Sequence, residues 1–323
     1  MSRHKGAPIS LAVITPAVAG PFDLGTVVIR NPLYIDPRTT EVSVKSDPIP
    51  TILDGIPLDV RSIEVRVTRN RFTLNPTSCA PMSIGGSAIG LLTTALLANR
   101  FQVGECSALR FKPALSLRLH GRPNRGAYQR LEATVTYPQG SGYANIASAS
   151  VALPHSEFLA QEHIRTVCTR VQFAAHQCPA GSIYGEAEAT TPLLDYTLRG
   201  PVYLRSSDNP LPDLVAALRG PASQPIEVEL SGRTDSVHGG IRNTFDLVPD
   251  APVSKFTLRL FGGKKSLIVN SRNLCSGKKQ RATARFTAQN GLRADSRPVV
   301  GNDCRAAKSK KPAKRGHHKH SSR

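Results

Sequence analysis

Apolar and polar residues alternate along much of this chain in short runs cut off by turn-forming residues. Ile63, Val65 and Val67 fall on one side of an extended backbone with Glu64 and Arg66 on the other, and Phe256, Leu258 and Leu260 alternate likewise with Thr257 and Arg259. A period of two marks a strand with one buried and one wet face. Similar runs at 26–30, 41–44, 115–119, 131–137, 147–153, 201–204, 226–230, 267–269 and 282–287 predict further strands. Pro-Arg-Thr-Thr at 37–40, Gly-Arg-Pro-Asn-Arg-Gly at 121–126 and Gly-Gly-Lys-Lys at 262–265 supply turns between them. Helical signal is slight: the run 91–98 suits helix or strand, and 156–165 has room for one short turn. The pattern predicts an all-β protein of tandem β-sandwich (Ig-like) domains.

Part of the chain echoes another part at an offset of 195 residues. Residues 35–42 align without a gap on 230–237, matching Arg38 with Arg233, Thr39 with Thr234 and Val42 with Val237. The strand pattern of 63–67 then corresponds to 256–260, Asn75 and Cys79 to Asn270 and Cys275, and Cys106 to Cys304. Shared order of individually weak matches predicts a duplicated β unit. The expected division is a β-sandwich unit at 1–106, a different β segment at 107–160, a second copy of the first unit at 161–304, and a tail at 305–323.

Six cysteines stand at 79, 106, 168, 178, 275 and 304, with no C-x-x-C pair. That spacing is poor for zinc or thiol redox chemistry, and an even count in separated pairs reads as disulfides formed in an oxidising compartment; six reduced core cysteines are the alternative. If equivalent positions bond alike in each copy, Cys79 pairs with Cys106 and Cys275 with Cys304, leaving Cys168 to Cys178.

Composition narrows the picture further. Trp is absent, aromatics make up 5 %, and Gly and Pro number 25 each, which favours short strands and turns over long helices. No apolar run is long enough for a membrane-spanning helix. Of the formal charge of +19, the last nineteen residues contribute eight Lys or Arg and no acid, leaving 34 basic against 23 acidic groups in the body. The tail has only alanine as an apolar residue and is expected to be disordered. Its Lys308, Lys310, Lys311, Lys314, Arg315 and Lys319 are candidate contacts to an anionic cell-wall polymer or glycan. No recognition helix or stacking platform accompanies the charge, so specific nucleic-acid binding is not expected.

Three longer phrases, 16–28 (PAVAGPFDLGTVV), 47–61 (DPIPTILDGIPLDVR) and 72–79 (FTLNPTSC), resemble a group of large, exported, β-rich proteins of actinobacteria, as do 164–173 (IRTVCTRVQF) and 178–185 (CPAGSIYG). The resemblance covers nearly the whole chain before the tail. It implies an exported β-rich protein and brings no activity or site residues with it.

Candidate chemistry is sparse. Gly85-Gly86-Ser87-Ala88-Ile89 lacks the final glycine of a nucleophile elbow and reads as part of a hairpin. Gly262-Gly263-Lys264-Lys265-Ser266 departs from a phosphate-binding loop and reads as a basic turn. His155, Ser156 and Glu157 are adjacent in sequence, where side chains of a strand point apart. Asp235 and His238 lack a third metal ligand, and His317, His318 and His320 read as part of a solvated tail. Neither cofactor nor metal is expected. The residues point to a non-enzymatic, exported structural or adhesive envelope protein, held electrostatically by its tail; a carbohydrate-binding module of a larger extracellular protein is the alternative. At the N-terminus, Arg3-His4-Lys5, an apolar run and Ala17-Val18-Ala19 fit a signal peptide poorly, because Pro8 and Ser10 lie inside the run and Pro16 follows it. The expectation is instead that 1–106 is N-terminally incomplete, with an apolar face left uncovered.

Overall fold

The computed structural model describes residues 3–66, 68–70, 72–138, 140–237 and 240–304. Strands account for 47 % of the chain and helix for 6 %, as the alternating pattern requires. The N-terminal part begins with a long antiparallel hairpin, β1 (Ile9–Ala19) and β2 (Phe22–Ile35), to which β3 (Val42–Val44) adds beside β2. A minimal ladder of β4 (Ile52–Leu53) and β5 (Ile56–Pro57) follows, then a separate hairpin of β6 (Met82–Ile89) and β7 (Thr94–Phe101).

From Ala114 onward the strands are β8 (Ala114–His120), β9 (Arg130–Thr136), β10 (Ile146–Ala152), β11 (Glu157–Leu159), β12 (Ile183–Thr190), β13 (Leu198–Arg205), β14 (Asp213–Arg219), β15 (Glu227–Val237), β16 (Gly240–Phe245), β17 (Lys255–Leu260), β18 (Ile268–Asn270), β19 (Thr283–Ala288), β20 (Arg293–Ser296) and β21 (Val300–Gly301). Twelve of them form one curled sheet in the order β20-β19-β10-β16-β15-β14-β13-β12-β17-β9-β8-β21, while β11 and β18 pair separately. All its ladders are antiparallel except β21 on β8.

This sheet differs from the expected tandem units. Strands of the 107–160 segment are hydrogen-bonded into it, β9 to β17 from Leu131↔Leu260 to Thr136↔Lys255 and β10 between β16 and β19, so no domain boundary falls at 160. The internal duplication is also not reproduced locally. Residues 230–237 run unbroken through β15, whereas 36–41 turn: the Asp36 carboxylate accepts from the backbone N–H groups of Arg38 and Thr39 at 2.8 Å each, and Thr40 is left-handed at φ 58°. Pro37 has no N–H to donate to a ladder, which favours the turn. Residues 63–66 form no strand although their pattern matches that of β17. Alternation states which face is apolar if the chain is extended; it does not provide neighbours to bond.

The core follows the period of two. Leu131, Ala133 and Val135 of β9 face the same side as Leu260, Leu258 and Phe256 opposite them. On the outer face Arg259 reaches Glu132 at 3.2 Å and Glu188 at 3.3 Å, a polar row across three strands. The centre of β14 is buried on both sides: Leu214, Ala216 and Leu218 join the main core, while Val215 and Ala217 lie under Phe173. Phe173 comes from α1 (Arg170–Ala174), started by a capping box in which Thr169 Oγ1 accepts from the Gln172 N–H at 3.1 Å and Gln172 Oε1 from the Thr169 N–H at 3.0 Å. Close strand approach also requires Gly200, where a Cβ would lie 1.7 Å from the Ala217 carbonyl oxygen.

The three disulfides are Cys79–Cys106, Cys168–Cys178 and Cys275–Cys304, the pairing expected if equivalent positions of the two copies bond alike. The first closes the base of the β6–β7 hairpin, the second fastens the α1 flap over β14, and the third ties the segment after β18 to the end of β21.

Candidate functional site

Ten strands, β8–β10, β12–β17 and β19, send alternate side chains toward the concave side of the curled sheet. They enclose a cavity of about 690 Å³. Its walls are mainly aliphatic: Leu117, Leu131, Leu204, Leu218, Leu230 and Leu258 come from six different strands. Ile9, Ile35 and Val42 from the N-terminal sheet and Phe72 and Leu74 from the segment before β6 complete the lining. That segment is tied across the cavity by one carboxylate. Asp250 accepts from the Thr77 N–H at 2.7 Å, Thr77 Oγ1 at 2.7 Å, the Ser78 N–H at 2.9 Å and Asn145 Nδ2 at 2.8 Å. Thr77 Oγ1 also accepts from the Asn145 N–H at 2.9 Å. Asp250 and Asn145 themselves line the cavity, so its charged lining residue is committed to holding the strap in place.

A second cleft, between α1, β13, β14 and β15, holds Glu227, Glu229, His176 and Arg219, but its volume of about 60 Å³ admits only a few water molecules. Burial pushes the Glu229 carboxyl above the usual carboxylate range, opposed by the nearby Arg205 and Arg38.

The residues singled out in the sequence separate in the fold. His155 is exposed, whereas Ser156 and Glu157 are fully buried, and Ser156 Oγ donates to both Glu157 carboxylate oxygens at 2.8 Å. The three do not assemble into a nucleophile and base. Both oxygens of Asp235 are engaged by Arg242, at 2.9 and 2.6 Å, and His238 lies outside the described residues. Gly85–Ile89 lies in β6, and residues 263–265 form a single 3₁₀ turn with Lys264 and Lys265. The candidate contacts Lys308, Lys310, Lys311, Lys314, Arg315 and Lys319, with the three tail histidines, also lie outside the described residues. Among the described residues no group of three His, Cys, Asp or Glu side chains is placed to hold a metal ion, and no helix is long and apolar enough to cross a membrane.

No family model matches the sequence, and no curated protein does. Among solved structures, a DUF4466 family protein from Parabacteroides merdae ATCC 43184 is 12 % identical with a TM-score of 0.22. The match covers 68 % of this chain and 43 % of that one, less than half of that protein's length. No site or activity is transferred from it.

Proposed function

We propose that this protein is an exported, non-catalytic carrier that holds an apolar molecule inside its curled sheet. The observation that carries the reading is the cavity: about 690 Å³ lies within the range of roughly 300–1,000 Å³ usual for small-molecule sites, and its walls are mainly aliphatic. A hydrocarbon chain suits such walls. A carbohydrate needs many free hydrogen-bonding groups, whereas Asp250 and Asn145 here are engaged with Thr77 and each other. Three disulfides support a location in an oxidising compartment. The basic surface supports placement beside an anionic envelope, where the carrier role and an adhesive role of the tail are compatible.

Titration with a fluorescent long-chain fatty acid tests the reading, with Ala133→Phe as the informative variant. Ala133 lines the cavity on β9, so a phenyl ring there occupies the guest's space while adding apolar contact. The expected result is saturable binding by the native chain, weakened at least tenfold in the variant with its thermal unfolding undiminished. Absence of saturable binding to fatty acid and to other apolar probes, or equal binding by both proteins, would overturn the carrier reading.

A further inference from the structure

Residues 72–99 contain no ionisable side chain, in a chain with 20 % charged residues. Their centre is the β6–β7 hairpin, which pairs from Met82↔Phe101 to Ile89↔Thr94 and is exposed along almost its whole length. At its tip the Gly90 N–H donates to the Thr93 carbonyl at 2.8 Å, so the turn residues are Leu91 and Leu92, 95 % and 92 % exposed. Turn positions ordinarily select Gly, Asn, Asp or Pro. The β19–β20 hairpin does so, with Asn290 and Gly291 at its turn. Two leucines standing in water at a projecting turn break the local rule, and such breaks mark functional positions.

We propose that the Leu91–Leu92 tip inserts into the interfacial region of an anionic lipid bilayer. The proposal is independent of the carrier reading, since the hairpin strands do not line the cavity. Charge favours a lipid surface over a second copy of the chain: at +19, copies repel one another, whereas an anionic bilayer attracts each of them. Geometry agrees. Copies pairing by their β6 or β7 edges would cover backbone and leave the tip leucines in water. A bilayer instead covers the tip first, because strands of eight residues hold it roughly 26 Å from the hairpin base at a rise of about 3.3 Å per residue. The paired turn adds few unsatisfied backbone groups to the apolar region, while the open strand edges remain in the hydrated headgroup layer.

The base of the lever is fixed to the body. Cys79–Cys106 joins its two ends, Gln102 Nε2 donates to the Cys79 carbonyl at 2.8 Å, and Asn290 Nδ2 donates to the Cys106 carbonyl at 3.0 Å. A rigid base transmits the anchorage to the whole molecule.

The test is co-sedimentation of the full oxidised chain with vesicles of phosphatidylcholine and phosphatidylglycerol, in low salt and in 1 M salt, where the Debye length is only about 3 Å. The variants are Leu91→Asp with Leu92→Asp, and Leu247→Asp, which alters a leucine 84 % exposed on the body. Because an exposed leucine moved out of water changes partitioning by roughly tenfold or more, the double variant is expected to partition about a hundredfold more weakly. Leu247→Asp should behave as the native chain, and native binding should persist in part in high salt. Equal sedimentation of native and double-variant protein would overturn the proposal, as would native binding abolished by salt or no native binding. Self-association in lipid-free buffer that the double variant abolishes would assign the tip to a second copy and also overturn it.

Discussion

Glu157 has no exposed surface, and the only side-chain hydrogen-bond donor described to its carboxylate is the neighbouring Ser156 hydroxyl. Burial pushes the carboxyl from the usual 4.5 up to about 7; the Ser156 hydrogen bond and the more distant charge of Arg272 oppose the shift without cancelling it. The folded chain therefore retains this proton where the unfolded chain releases it. Stability attributable to Glu157 is fully present below about pH 4.5, is lost as pH rises toward 7, and stays level above that. At roughly 1.4 kcal/mol per pH unit the loss is about 3 kcal/mol. This is a large part of the 5–15 kcal/mol typical of a whole protein. Glu157→Gln keeps the shape and an acceptor for Ser156 while removing the ionisation. The variant should match the native chain near pH 4 and exceed it by about 3 kcal/mol near pH 8. Equilibrium urea unfolding of the disulfide-intact proteins across that range measures the difference. Comparing the pair isolates Glu157 from carboxylates shifted the other way, such as Asp36, held low by backbone N–H groups of Thr39 and Arg38, and Asp235, held low by Arg242. Parallel pH profiles for the two proteins would refute the reasoning, as would a glutamine variant less stable near pH 8.

Asp250→Ala removes the acceptor of four hydrogen bonds that hold Thr77, Ser78 and Asn145 together. Local opening of the strap should become easier by about 2 kcal/mol, because partly buried donors lose a charged partner. Hydrogen exchange at the Asn145 N–H, which donates to Thr77 Oγ1, should accelerate; an unchanged rate argues that the strap is held elsewhere. Replacing Cys168 and Cys178 together by alanine should cost roughly 2–3 kcal/mol by releasing a short loop. Hydrogen exchange at β14 should rise as Phe173 leaves Val215 and Ala217; protection equal to that of the native chain would show that packing alone secures the flap.

Local pattern was informative where a strand has one apolar and one polar face. In β17 the alternation of Phe256, Leu258 and Leu260 with Thr257 and Arg259 is realised in full, because β12 and β9 bond to both edges. The three bridges match the pairing expected from equivalent cysteine positions in two copies, although the copies themselves do not fold alike. The sheet strand β14 escaped notice for a physical reason: Asp213–Arg219 is buried on both faces, so its apolar run has no alternation to detect. Gly85–Ile89, read as part of a hairpin because Ile89 stands where a nucleophile elbow needs glycine, is the second half of β6 in the β6–β7 hairpin. The uncharged run 72–99 was visible in the sequence, yet only the hairpin register put Leu91 and Leu92 at an exposed turn.

A β-rich chain and the apolar face of many of its strands were readable from the residues alone, since each depends on neighbours along the backbone. Tertiary structure decided the rest. The same alternation produced a strand at β17 and none at 63–66, because ladder partners come from distant segments. The cavity likewise exists only once ten strands close into a curved sheet, when leucines as far apart as Leu115 of β8 and Leu260 of β17 come to face a common space.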